Sequence, residues 1–252
     1  MKKHIFILTL AIFVAGLSPV YSQFGPMGGG SQFSGGMDKL FGDNKFFSAT
    51  LEVQTKDQAG ATMTIPGKLT FDAGNSRFEM NMSEMKGGSI PAAAMTQMKT
   101  MGLDRVVTIS QSDKKSVFLI YPNVQSYVEM TPDPAAAATN NDTTIETTKL
   151  GEETIAGHPC VKNKDVVTDK QGAKQEFTVW NATDLKNFPV QIQMIVQGNP
   201  VTMSYSDLNF SKPDASLFAP PTGFTRYDNM QTMMQTVMMK KMGGGMARPP
   251  GQ

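Results

Sequence analysis

Apolar and polar residues alternate along most of this chain. Leu51 and Val53 alternate with Glu52 and Gln54. Val190, Ile192, Met194 and Val196 share one face, with Gln191, Gln193 and Gln197 opposite. Val201, Met203 and Tyr205 repeat the pattern against Thr202, Ser204 and Ser206. A period of two predicts strands with one buried and one wet face. Further strand-forming runs are 62–71, 76–82, 105–110, 116–121, 124–130, 161–168 and 176–181. Gly-Asn, Asp-Lys, Pro-Asn and Gly-Asn-Pro separate many of them, and turns that short join antiparallel neighbours into a meander.

Two segments break the strand pattern and predict helices. In 91–101, PAAAMTQMKTM, Pro91 suits a first turn, the alanines favour helix and Gly102 stops it. Met95, Met98 and Met101 lie three apart, on roughly one face. In 229–242, Asp228 is the expected cap, Lys240 and Lys241 suit the negative end, and Met230, Met233, Met234, Val237 and Met238 form an apolar stripe. The polar stretch 131–144 separates two sets of strands within one domain.

The ends differ from this body. Lys2 and Lys3, an apolar run over 5–17 and small residues before position 23 predict a signal peptide over 1–22, cleaved between Ser22 and Gln23. The run is shorter than the roughly 20 residues a membrane span requires. A glycine-rich leader is expected over 23–37, the folded body over 38–228, the amphipathic helix over 229–242 and a disordered tail over 243–252. The expected location is therefore periplasmic or secreted, soluble after cleavage, without stable membrane insertion.

Loss of Lys2 and Lys3 from 23 basic residues leaves 21 against 22 acidic ones, a charge of −1. So balanced a chain has no field to draw it onto nucleic acid. Its single cysteine, Cys160, allows no internal disulfide, so packing must hold the fold.

Three stretches carry a family resemblance: GEETIAGHPCVKNKDVV over 151–167, FTVWNATDLKNFPVQIQM over 177–194 and PDASLFAPPTGFTRY over 213–227. In this order they resemble the LolA/LolB-like superfamily of bacterial periplasmic proteins, and more closely the domain-of-unknown-function family 4412. The resemblance implies a mainly β (α+β) fold: a curved antiparallel sheet forming an open half-barrel, with covering helices. It also implies an apolar concave face able to hold an acyl chain or another apolar small molecule.

Catalytic signatures are missing: there is no GxSxG elbow, HExxH helix, P-loop or paired CxxC. His158 and Cys160 allow a thiol or metal pair, or a turn histidine beside a small buried thiol; the second is the commoner use. Glu152 and Glu153 point opposite ways on a strand. The expectation is a non-enzymatic protein without cofactor.

Methionine is the open question, with 20 in the chain. Met80, Met82 and Met85 form a cluster of soft thioethers of the kind that selects Cu(I). Met95, Met98 and Met101 suit an adaptable apolar lid, since methionine fills uneven gaps. The favoured expectation is an apolar-ligand carrier. The alternatives are a methionine-based Cu(I) handling protein and a structural or partner-binding module without a small ligand.

Overall fold

The computed structural model describes residues 37–243, apart from 58, 113, 115, 131–142, 170–171 and 197. The expected cleavage point, most of the glycine leader and nearly all of the tail lie outside the described residues. Strands β1 (Phe46–Lys56), β2 (Thr62–Asp72), β3 (Asn75–Asn81), β4 (Lys86–Gly87), β5 (Arg105–Gln111), β6 (Ser116–Tyr121) and β7 (Ser126–Met130) make the first meander. Strands β8 (Thr144–Ile155), β9 (His158–Thr168), β10 (Lys174–Ala182), β11 (Phe188–Val196) and β12 (Asn199–Asn209) make the second. A short β13 (Thr225–Tyr227) follows, and the helices are α1 (Ala92–Met101) and α2 (Met230–Gly243).

All thirteen strands belong to one curved, open sheet in the order β13-β7-β6-β5-β3-β2-β1-β12-β11-β10-β9-β8, with β4 beside β2. The two meanders join where β1 pairs β12. The alternation seen in the sequence sets the register. Val179, Ile192, Met203, Val53 and Ile65 lie opposite one another across five strands, so one apolar row crosses the sheet. These residues are at most 4 % exposed and line the concave face.

At one end of the strands an aromatic cluster closes that face. Phe41, from the 3-10 turn Met37–Phe41, stacks within 4.8–6.0 Å of Phe47, Phe71, Phe188 and Tyr205. Met37, the last residue of the expected leader, is itself buried, so the folded body includes it. Gly67 on β2 lies beneath Phe78, whose ring would stand 2.5 Å from a Cβ there.

By its sequence, with Pro220 and Pro221 blunting edge pairing, the stretch around Leu217 and Phe218 suits the closing of a sheet edge. In the structure Phe218 packs instead on the opposite face of the sheet, against Val107, Ile109, Phe118 and Ile120. The buried Gln111 side chain donates to the Phe218 carbonyl at 2.6 Å and Arg77 to the Leu217 carbonyl at 3.2 Å. β5 and β6 are thus buried on both faces, which explains why their runs are apolar without clean alternation. β13 then pairs with β7 in parallel, the exception to the expected antiparallel sheet.

Replacement of Phe41 by alanine is expected to lower the unfolding free energy by about 3–5 kcal/mol, measured by urea denaturation. A loss below about 1 kcal/mol would show that the turn lies outside the cooperative core.

Candidate functional site

The concave face and its covers are the candidate site. Helix α1 begins after Pro91 and ends at Gly102, whose left-handed backbone (φ 75°) lets its N–H reach the Lys99 and Met98 carbonyls. A Cβ at Gly102 would also stand 3.1 Å from Val124. Helix α2 begins one residue later than expected. Asn229, not Asp228, caps it by accepting from the Thr232 N–H at 2.8 Å, because its side chain has the right spacing to the third amide.

Both helices turn methionines onto the core. On α1, Met98 and Met101 are buried and Met95 is half-buried against the same cluster. On α2, Met233 and Val237 are buried and Met230 and Met234 half-buried, whereas Met238, expected on this stripe, is 37 % exposed. The second methionine set lies nearby in the fold. Met80 faces inward on β3 opposite Gly67, Met82 is buried in the turn Met82–Glu84, and Met85 packs half-buried on the same core. The two sets thus join one apolar cluster, together with Met63 and Met203. Among the described residues no group of three or more His, Cys, Asp or Glu could hold a metal ion.

The approach to α1 is tethered. Asp57 accepts from the Ser89 N–H at 2.5 Å and from the Ala59 and Ala61 N–H groups at 2.9 Å. Hydrogen bonding, from Ser89 first, holds its carboxyl below the usual carboxylate range. The turn before β2 and the segment leading into α1 are therefore held together by one side chain.

His158 and Cys160 do not form a nucleophilic pair. His158 Nδ1 contacts Asp184 at 2.8 Å, and the buried Cys160 thiol donates to the His158 carbonyl oxygen at 3.3 Å. Burial pushes the Cys160 thiol pKa up, the reverse of activation. Glu153 accepts from Trp180 Nε1 at 2.5 Å and pairs with Lys162 at 3.1 Å, while Glu152 pairs with Lys149 at 2.6 Å. Trp180 is thus pinned by its polar edge, with the Lys162 ammonium 4.8 Å from its ring centre.

One inward residue was not anticipated. On β9, Val161, Asn163, Asp165 and Val167 share a face, with Asp165 opposite Phe177 and Asn163 opposite Val179. Asp165 is only 5 % exposed and its Oδ1 has no hydrogen-bond partner, while the Thr147 hydroxyl bonds the carboxylate. Burial raises its pKa. The sign was present in the sequence: counting back by twos from Val167 places an aspartate on the apolar face. One open groove of about 320 Å³ is lined by Leu150, Ile195 and Pro200 together with Phe177, Met194 and Val201 of the Asp165 row, and another of about 420 Å³ is lined by Lys68, Glu79, Glu84 and Arg105. Neither is lined by residues of α1 or α2.

No family model matches the chain, so the expected placement in family 4412 has no match behind it, and no curated protein matches either. Solved structures with a similar fold include a LolA superfamily protein from Nitrosomonas europaea, 11 % identical, TM-score 0.42, covering 76 % of this chain and 97 % of that one. Another is the lipoprotein LppX of Mycobacterium tuberculosis, 11 % identical, TM-score 0.38, covering 79 % and 97 %. LprF of Mycobacterium bovis is 14 % identical, TM-score 0.36, covering 73 % and 95 %. Among the described residues no helix is long and apolar enough to cross a membrane.

Cys160 is expected to resist thiol reagents at neutral pH until the protein unfolds; rapid labelling of the native protein would contradict its burial. A second expectation concerns Asp165. Its raised pKa means that the folded state disfavours the charged form. The resulting penalty is absent below the ordinary value of 3.8 and grows as pH rises from there through the raised folded value. Asp165→Asn should therefore melt above the parent at neutral pH, with the advantage shrinking in acid. An offset that is constant with pH would show that the charge is not penalised.

Proposed function

We propose that this protein is a non-enzymatic extracytoplasmic carrier that holds an apolar molecule, a lipid or an acyl chain, against the concave face of its sheet. The observation that carries this reading is the nature of the cover. Two separate helices present Met95, Met98, Met101, Met230, Met233 and Met234 to one apolar cluster. A core built only for stability favours stiff, branched side chains that lock one packing. Unbranched thioethers repack at low cost and suit a surface that must close over cargo of varying length. The chain's balanced charge and the predicted signal peptide fit a diffusing carrier outside the cytoplasm.

In this reading α1 and α2 form a lid that shifts when a chain enters, and Asp57 anchors the base of α1. The inward placement of Met80 and Met82 fits packing better than capture of Cu(I), for which an exchanging metal needs access to the thioethers.

Native mass spectrometry of protein purified from its own compartment is expected to find co-purifying apolar molecules, and the stripped protein should take up fatty-acyl probes. A triple variant Met98→Leu, Met101→Leu, Met233→Leu keeps the volume and should lose less than about 1.5 kcal/mol per site. It should nonetheless accept a narrower range of chain lengths. A stripped protein that takes up no acyl probe would overturn the proposal.

A further inference from the structure

The concave face is apolar over most of its width but not at its β8–β10 side. There Lys149, Asn163 and Val179 form one row, and Thr147, Asp165 and Phe177 the next. Val167 pairs with Gln175, whose amide donates to the Met194 sulfur at 3.8 Å. Asn163 donates to Asn181 at 3.0 Å and Lys149 is paired with Glu152, so neither serves Asp165. The result is a carboxylate that is 5 % exposed, flanked by the buried Phe177, Val179 and Val167, with one oxygen unbonded.

Buried polar atoms in folded proteins are almost always satisfied, and an orphan asks for a partner. The missing partner must be a donor, since both carboxylate oxygens can only accept when ionised. It must reach a site with apolar walls on one side and the exposed hydroxyl of Thr147 on the other. A long apolar molecule with a donating end meets both conditions: the chain lies along the Phe177, Met194 and Val201 row, and the head meets Asp165.

We propose that Asp165, with Thr147 beside it, is a polar anchor for the head group of the cargo, and that the cargo is an amphiphile whose head donates hydrogen bonds, an alcohol or an amine, in preference to a carboxylate. This rests on the carrier function proposed above and deepens it. An anionic head would set like charge against a carboxylate in a poorly solvated setting, where repulsion is strong.

The test uses three probes of equal chain length, decylamine, decanol and decanoate, titrated calorimetrically into the stripped full-length protein at neutral pH. The amine and the alcohol are expected to bind at least about tenfold more tightly than decanoate, a difference of roughly 1.4 kcal/mol. Asp165→Leu should abolish the preference while still binding all three, and should melt higher than the parent, because an apolar side chain removes the orphan. The near-isosteric Asp165→Asn should weaken the amine, leave the alcohol nearly unchanged and strengthen decanoate, because it removes the charge and its amide N–H can donate to a carboxylate, which separates charge from hydrogen bonding. Equal affinities for the three probes in the parent, or a preference that survives Asp165→Leu, would overturn the anchor while leaving the carrier function standing. Failure of every probe to bind would overturn both.

Discussion

The pairing of β1 with β12 is the constraint on which the rest depends. It brings the first meander, built from residues 46–130, against the second, built from residues 144–209. Around that seam Phe41, Phe47, Phe71, Phe188 and Tyr205 pack ring on ring, drawing on both meanders and on the turn before them. Aromatic side chains bury the most area per residue and gain from tilted and edge-on contacts. In a chain with one cysteine, no internal disulfide can share that role. It also dictates curvature. β7 and β8 stand ten places apart in the sheet. At about 4.8 Å per strand a flat sheet would part them by roughly 48 Å, near the full reach of the fourteen residue steps from Met130 to Thr144. A curved sheet brings the two within easy reach.

Curvature creates a concave face, and the chain covers it unevenly. The aromatic end is filled by packed rings. Methionines from both helices join the same apolar cluster as Val53, Ile65 and Met63. The opposite face of β5 and β6 has its own cover in Phe218. The sheet is therefore covered on both faces near its β7 edge, by α2 on one and Phe218 on the other.

Asp165 stands out against this economy. Across the sheet from it, toward β12, its row runs through Phe177, Met194 and Val201, all apolar and buried; only Thr147, on the edge strand β8, is polar and exposed. A leucine there would fit the local pattern better and spare a buried carboxylate. A residue that breaks the local rule without a local benefit is where function is sought first. By contrast Cys160, the residue with the most reactive reputation in the chain, is tied to a backbone carbonyl and held protonated by burial.

Most strands were legible because period-two alternation reports local burial directly: Leu51–Val53, Val190–Val196 and Val201–Tyr205 fall where their side chains predict. Helix α1 was equally plain, since Pro91, the alanines and Gly102 are local signals. Less was legible where the environment is supplied from afar. The runs of β5 and β6 carry no clean alternation because Phe218, about a hundred residues onward, buries their second face. β13 pairs in parallel for the same reason, since a three-residue strand has no intrinsic pattern to announce its partner. The methionine sets looked separate along the chain and proved to share one cluster. The sequence by itself determined the strand faces, the two helices and the reliance on packing, because these follow from side-chain period and residue count. Only the tertiary structure decided which face the cover protects, where the meanders join, and that one aspartate lies buried among apolar neighbours with an oxygen unbonded. Those are relations between residues far apart in the chain, and no local pattern encodes them.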